Sequence, residues 1–527
     1  MQATTQWAED NFRSCQLGDK RRNNRLIHVA GQVANHPAAS LPGQTETWGD
    51  LKGAYNLFDR PEVTFEAIAR PHWELTKQRT AGRYLVIGDT TEIDFGKRKM
   101  ISGLGPTGNG SGAGFLLHNA LLVDADNEEI IGIAGQTIHH RSKKPKKKES
   151  RTQRLKRKRE SEVWGKVIDQ VGPPAENVQW VHVLDRGGDN FEVYCHLLQQ
   201  RSEWVVRAAK LNRYVLAGSD EVRMKLSEYL PKLESLGTYT LSLRARPDQP
   251  AREAKLEVRV GKIKMPRPHH ISPWVKSLNQ SPIAMNVVEV VEVDAPKGVT
   301  PIRWVLLTSL PVKTFDEAWI VIGYYESRWL VEEYHKALKT GCRVEKRQLK
   351  TAARLEAMVG LMSVVAVRLL RLKSLARTDP EVPAKRVVPN IWLQMLKVAR
   401  KGLDRVHDLT VGQFYREVAK LGGFLVPREV INIAPCAQFR YSLRTSHVDR
   451  TGGSHVWQGR SGADHGKAAG CPEAVRERTQ LGGFIGATFT NCSTRFRKAF
   501  QRADFCRGRI ESRSSWTLAS AVATSVG

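Results

Sequence analysis

The chain has 527 residues, 41% of them hydrophobic and 26% charged, enough apolar material for a sizeable core and, on length alone, roughly two to four domains. Lys and Arg number 82 against 54 Asp and Glu, a formal charge of +28, which disfavours a plain metabolic enzyme and favours a polyanionic partner. An anionic membrane is the weaker choice of partner: the longest uncharged apolar stretch, residues 357–367 between Glu356 and Arg368, falls well short of the ~20 residues that span a bilayer.

The N-terminal MQATTQWAED has no cationic start followed by an apolar run, so no secretory signal is expected. Residues 1–75 read as helical, with Leu26, Val29, Ala30 and Val33 at helical spacing. The polar face of that segment carries Lys20, Arg21, Arg22 and Arg25. A solvated face and a phosphate-contacting face both fit; the basic balance of the whole chain favours phosphate. RYLVIGDTTEIDF (83–95) reads as a buried strand ending in carboxylates, and residues 115–140 as a hairpin turning at Asp126-Asn127. Between them lies a literal G-x-G-x-x-G, Gly103 to Gly108. It follows a basic non-strand segment, contains Pro106 and runs into more glycine, so a dinucleotide site is rejected. From Arg141 to Arg159 twelve of nineteen residues are Lys or Arg, with one acid. Such a run cannot pack and reads as a loop or helix edge for nonspecific DNA contact.

Residues 160–171 form an amphipathic helical pattern, 178–186 a strand ending in a carboxylate, 189–201 a helix and 203–209 another strand. This alternation predicts an α/β sheet with parallel strands. Residues 210–303 change to alternating runs such as AKLEVRVGKI and MNVVEVVEV, the pattern of an inserted antiparallel β module. RWVLLTSLP is then a strand, residues 314–341 one long helix, and further helices run to about residue 425. From Pro435 onward the chain lacks periodicity and is expected to be poorly ordered. Seven scattered cysteines without C-x-x-C argue against a disulfide framework or structural zinc and point to a reducing compartment. The adjacent pairs His139-His140 and His269-His270 are read as turn or surface residues, since neighbouring side chains diverge on a strand.

Two aspartates close buried strands: Asp89 in VIGDTTE and Asp185 in HVLDRGGDN. Glu332 or Glu333 on the long helix is a third candidate. Strand ends of open α/β sheets are where ligand sites form, and three converging carboxylates suit two hard divalent cations. Such a pair, ~3.5–4 Å apart, activates a water or 3′-hydroxyl for in-line displacement at phosphorus. An aspartate at a strand end also serves as a plain turn or cap residue. On the helix, Tyr325, Arg328, Glu332 and Lys339 fall at near-multiples of a turn and should share one face. An acid flanked by Arg and Lys can hold a metal while the cations grip phosphates. The same spacing fits a surface ion-pair ladder through Arg328-Glu332 and Glu332-Lys336.

The Y-x(2)-R-x(3)-E-x(6)-K pattern in YESRWLVEEYHKALKTG resembles the signature of insertion-sequence family four, the bacterial cut-and-paste DDE transposases that include that of Tn-five. GDTT around Asp89 and LDRGGDN around Asp185 are similar to its two catalytic aspartate motifs. Further likeness lies in LGDKRRNNRL, WVVRAAK, WVLLTS, VAVRLL and AKLGGF, so the resemblance spans roughly residues 7–425. It implies an RNase H-like catalytic core, a mixed sheet flanked by helices and interrupted by an antiparallel β insertion, with helical N- and C-terminal regions. The implied domains are a DNA-end-binding region (1–75), the core (76–345, insertion about 210–303), a helical region (346–434) and a tail (435–527).

By matching motif, Asp89, Asp185 and Glu332 would be the catalytic, metal-binding triad, with two Mg²⁺ per site and Mn²⁺ able to substitute. Tyr325, Arg328 and Lys339 would contact phosphates, and Trp304 would stack on a flipped nucleotide. Arg207 would be a further backbone contact, and Arg21, Arg22 and Arg25 would belong to end recognition. The implied partners are double-stranded DNA, as transposon ends and target, and a second copy of the chain when two ends are held; no membrane is implied. A cytoplasmic, nucleoid-associated location follows. The chain departs from the family after LGGF at 421–424, where a tryptophan-containing dimerisation helix would be expected and LVPREVINIAPCAQF stands instead. The rival readings are a catalytically silent DNA-binding relative or inhibitor, and a metal-dependent nuclease without strand transfer.

Overall fold

The computed structural model describes residues 2–96, 101–141, 160–243, 245, 250–269, 271–400, 402–403 and 408–421. The basic run beyond Arg141 and the irregular tail lie outside the described residues.

Five helices open the chain: α1 (Gln2–Phe12), α2 (Lys20–Asn35), α3 (Leu41–Gln44), α4 (Trp48–Phe58) and α5 (Phe65–Lys77). The Asp19 carboxylate caps α2, and the hydroxyls of Thr47 and Thr64 cap α4 and α5, satisfying N–H groups that have no partner in the first turn. The helically spaced Leu26, Val29, Ala30 and Val33 are the buried stripe of α2.

Twelve strands follow: β1 (Gly82–Asp94), β2 (Gly105–Thr107), β3 (Gly112–Asp124), β4 (Ile130–His139), β5 (Val178–Leu184), β6 (Glu203–Arg207), β7 (Tyr214–Ala217), β8 (Val222–Lys225), β9 (Glu234–Leu243), β10 (Arg252–Met265), β11 (Ile283–Val293) and β12 (Arg303–Thr308). They form one sheet in the order β2-β3-β1-β5-β6-β12-β11-β10-β7-β8, with β4 beside β3 and β9 beside β10. β1 pairs parallel with β5, and β5 with β6, while the remaining pairs are antiparallel. Helices α6 (Glu162–Val171) and α7 (Phe191–Gln199) precede and follow β5, and the short α8 (Leu226–Tyr229) and α9 (Pro273–Ser277) lie among β7–β11. Beyond β12 come α10 (Phe315–Glu326), α11 (Trp329–Lys336), α12 (Ala352–Thr378), α13 (Ala384–Val387), α14 (Asn390–Ala399) and α15 (Val411–Leu421).

Both faces of β1 are covered. Leu85, Ile87 and Ile93 join the main core with residues of α5, α10 and α12, while Val86 packs with Val167 and Val171 of α6. That double burial explains why LVI (85–87) reads as a continuous apolar run without alternation. The result is a mixed α/β sheet flanked by helices with a helical N-terminal region, an architecture compatible with an RNase H-like core. The chain leaves β6, forms β7–β11, and returns as β12 antiparallel to β6, pairing Leu306 with Arg207 and Thr308 with Val205.

Two expectations change. The segment 314–341 is not one helix. It breaks between α10 and α11, where the Ser327 hydroxyl bonds back to the Gly323 carbonyl at 3.0 Å and across to Glu128 at 2.8 Å. It then widens into a π turn over Ala337–Gly341. Asp89 also does not end its strand: β1 runs on to Asp94 along β3, although its pairing with β5 stops at Gly88. The glycine-rich link supplies the short strand β2, which pairs with β3. The apolar run 357–367 lies inside α12, whose residues are largely core, and no described helix is long and apolar enough to cross a membrane.

Candidate active site

Register brings the two aspartates level. The last parallel pair is Gly88 with Leu184, so the next residue on each chain, Asp89 and Asp185, steps off side by side on strands ~4.8 Å apart. Asp185 opens the short turn Arg186–Gly188, and its carboxylate accepts from the Gly187 N–H at 2.7 Å. A Cβ on Gly187 would stand 2.7 Å from the Trp164 ring, so this turn can close only over a glycine. Asp189, four residues on, is placed quite differently. It is buried, accepts from Tyr194 Oη at 3.0 Å and the Ala209 N–H at 2.6 Å, and pairs with Arg213. The fold uses Asp189 to tie the loop after β5 to the loop after β6; Asp185 is the half-buried one, just past the end of β5.

The third carboxylate arrives on α11. Arg328 stands at its start, where Nη1 donates to Asp89 Oδ2 at 3.0 Å and Nη2 donates to Glu332 one turn further. Glu333 points elsewhere, to Lys373 of α12 at 2.5 Å. Of the two glutamates left open by the sequence, Glu332 is thus the one joined to Asp89 through Arg328. Burial pushes the Asp89 carboxyl up to about 6; the Thr90 N–H and Arg328 oppose this, and the charges of Asp185 and Glu332 add to it. The three acids therefore lie within electrostatic reach of one another.

The donor set is all oxygen, which suits Mg²⁺ or Mn²⁺. As the side chains stand, no three His, Cys, Asp or Glu groups among the described residues are gathered closely enough to hold an ion. Arg328 occupies the position between Asp89 and Glu332 and carries the counter-charge there. A divalent ion at this site would take that charge over.

The other sequence-derived candidates fall into separate groups. Tyr325 is largely buried, 7% exposed, within electrostatic reach of Arg328, with its ring 5.8 Å from that of the half-buried Trp304 on β12. Lys339, in the π turn, pairs with Glu345 at 3.4 Å. Arg207 ends β6 and donates to the Arg303 carbonyl at 3.4 Å. On α2, Arg22 pairs with Glu62 at 3.0 Å and Arg25 with Asp50 at 3.3 Å, while Arg21 is exposed. His140 pairs with Glu356 at 2.9 Å, and His139 ends β4.

Three polar residues that sequence reasoning missed are linked beside Asp89: Asn119, Gln136 and His335, the first two almost wholly buried. For Asn119 and Gln136 the one visible signal is polarity inside otherwise apolar strands, as in FLLHNALLV; His335 on α11 carries none. Burial, and then the charges of Lys339 and Arg328, pushes the His335 pKa down to about 3, so its ring is neutral.

Residues 4–63, which take in most of α1 and all of α2–α4, match a family model described as transposase DNA-binding. This match supports a DNA-binding transposase, and the segment includes Arg21, Arg22 and Arg25.

Proposed function

We propose that the chain is a DDE transposase of insertion-sequence family four, binding terminal inverted repeats and moving the element by phosphodiester hydrolysis and transesterification. The observation that carries this reading is the meeting of Asp89 and Asp185 at the end of one parallel strand pair, with Glu332 linked to Asp89 by Arg328. Support for the DNA half comes from the matched N-terminal segment and the formal charge of +28.

In this reading Asp89, Asp185 and Glu332 hold two Mg²⁺ or Mn²⁺ ions, which would supply a nucleophile at neutral pH and stabilise the leaving oxygen. Arg328 then exchanges its carboxylate partners for a backbone phosphate, and Lys339 grips a neighbouring one. Trp304 offers its ring to an extruded base from beside Tyr325, offsetting the stacking lost from the duplex. Tyr325 is assigned a phosphate contact through its hydroxyl, and Arg207 a further backbone contact. Arg21 meets end DNA directly; Arg22 and Arg25, braced by Glu62 and Asp50, present the face of α2 on which it sits. One active site per end calls for a homodimer holding two ends, with target DNA as the second nucleic-acid partner.

The test is a product assay on DNA carrying the element's ends, with Mg²⁺ or Mn²⁺. Excised and joined products are expected from the wild type, with Asp89→Asn, Asp185→Asn and Glu332→Gln binding DNA but yielding neither. Nicks without joining would favour a nuclease, DNA binding without cleavage a silent relative, and wild-type cleavage by any one variant would refute the triad.

A further inference from the structure

Beside Asp89, a chain of hydrogen bonds runs through the packed layer between the sheet and the helices. Asn119 on β3 is fully buried and stands directly opposite Asp89 in the β1–β3 register. Its Nδ2 donates to His335 Nε2 at 2.9 Å, and its Oδ1 accepts from Gln136 Nε2 at 2.6 Å. Gln136 on β4 also reaches Tyr334 Oη and Ser363 Oγ of α12, each at 3.2 Å. Its Oε1 accepts from Trp73 Nε1 of α5 at 3.3 Å. The catalytic helix α11 is therefore gripped at two successive residues, Tyr334 and His335, just beyond Glu332. The acceptor role of His335 Nε2 requires a neutral ring protonated on Nδ1, the form that burial maintains.

Apolar packing alone would hold α11 against the sheet but would not fix its rotation, because the hydrophobic effect has no direction. A buried polar network stabilises a fold little more than apolar filling does, and its return is a single geometry. The geometry at stake is large on the scale of chemistry. A carboxylate ~6 Å from a helix axis moves about 2 Å when the helix rolls by roughly 20°, and a misplacement of ~1 Å can cost ~100-fold in rate.

We infer that Asn119, through its hydrogen bond to His335, is a positioning residue that sets the roll of α11 and hence the approach of Glu332 to Asp89 and Asp185. The inference rests on the catalytic reading proposed above. Gln136 keeps the Asn119 amide in the donating orientation and anchors the same helix through Tyr334.

The test is single-turnover and steady-state cleavage of end DNA by the full chain, alongside thermal unfolding, for Asn119→Ala, His335→Leu, His335→Gln and the Asn119→Ala/His335→Leu double variant. Asn119→Ala and His335→Leu should each lower kcat by ~100-fold with KM for DNA unchanged. The double variant should be no slower than either single one, because both remove the same bond. His335→Gln, whose Oε1 can accept from Asn119, should recover most of the rate that His335→Leu loses. A merely structural role would lower Tm while leaving the rate per folded molecule intact, with Gln no better than Leu; that result overturns the inference. Should Asn119→Ala not fold, the Gln and Leu variants at 335 carry the same comparison. An inactive wild type overturns the catalytic reading and this role with it, whereas active variants beside an active wild type overturn this role alone.

Discussion

Replacing Asp89 by asparagine should make the protein more stable at neutral pH while removing its chemistry. Burial raises the carboxyl from 3.8 to about 6, ahead of the lowering effect of the Thr90 N–H and Arg328 and the raising effect of Asp185 and Glu332. Between those two values the folded protein keeps a proton that the unfolded chain has released. Stability therefore falls as pH rises through that window and levels off above it. The window corresponds to ~3 kcal/mol, and the Asp89 side chain is only 18% exposed, so solvent screens little of it. Asparagine carries no charge at any pH and still offers an oxygen to the Thr90 N–H. The variant should thus exceed the wild type by up to ~3 kcal/mol at pH 8, with the difference vanishing near pH 4. Urea unfolding of both proteins at the two pH values reads this directly, through the midpoint at unchanged slope. Equal pH dependence in the two proteins, or a variant less stable at pH 8, would show that Arg328 compensates the buried charge in full and would refute the reasoning.

The two aspartates of LDRGGDN should separate cleanly. Asp189→Asn breaks a buried pair with Arg213 and should cost about 3–5 kcal/mol in unfolding; Asp185→Asn, half-buried just past the end of β5, should stay within ~0.5 kcal/mol and lose cleavage. Arg328→Ala and Lys339→Ala should each weaken binding of end DNA and lower the slope of log affinity against log salt by about one, measured by fluorescence anisotropy. An unchanged slope for either would remove that residue from the phosphate contacts.

How far the sequence could be read follows from which interactions are local. The buried stripe of α2 and the alternation of strand and helix around β5 are written in periodicity, and the structure follows them. The level placement of Asp89 and Asp185 depends on a register between strands nearly a hundred residues apart, which no local pattern reports. Glu332 and Glu333 are equivalent on paper and are distinguished by Lys373 on a different helix. The single helix expected over 314–341 was a reasonable reading of continuous periodicity. The segment divides at Ser327, whose hydroxyl bonds to Glu128 in a distant hairpin turn, a contact that no local pattern reports, and Tyr325 just ahead of it lies largely buried. Asn119, Gln136 and His335 escaped notice because each alone is an ordinary polar residue; they become a unit only when β3, β4 and α11 meet.

The return of β12 to the side of β6 has a consequence for how this chain tolerates change. Residues 208–302 leave β6, build β7–β11 within the same sheet, and come back as β12 beside their point of departure, closed by backbone pairing at Leu306, Leu307 and Thr308. The turns that join these strands are where length changes cheaply: doubling a flexible loop costs only ~0.6 kcal/mol in closure entropy. Glu332 takes its place from β12 and the helices after it, not from the length of what precedes them. Additions or deletions within those turns can therefore reshape the surface of the sheet while leaving the pairing of β12 with β6 and β11, and with it the distance between the acids, untouched.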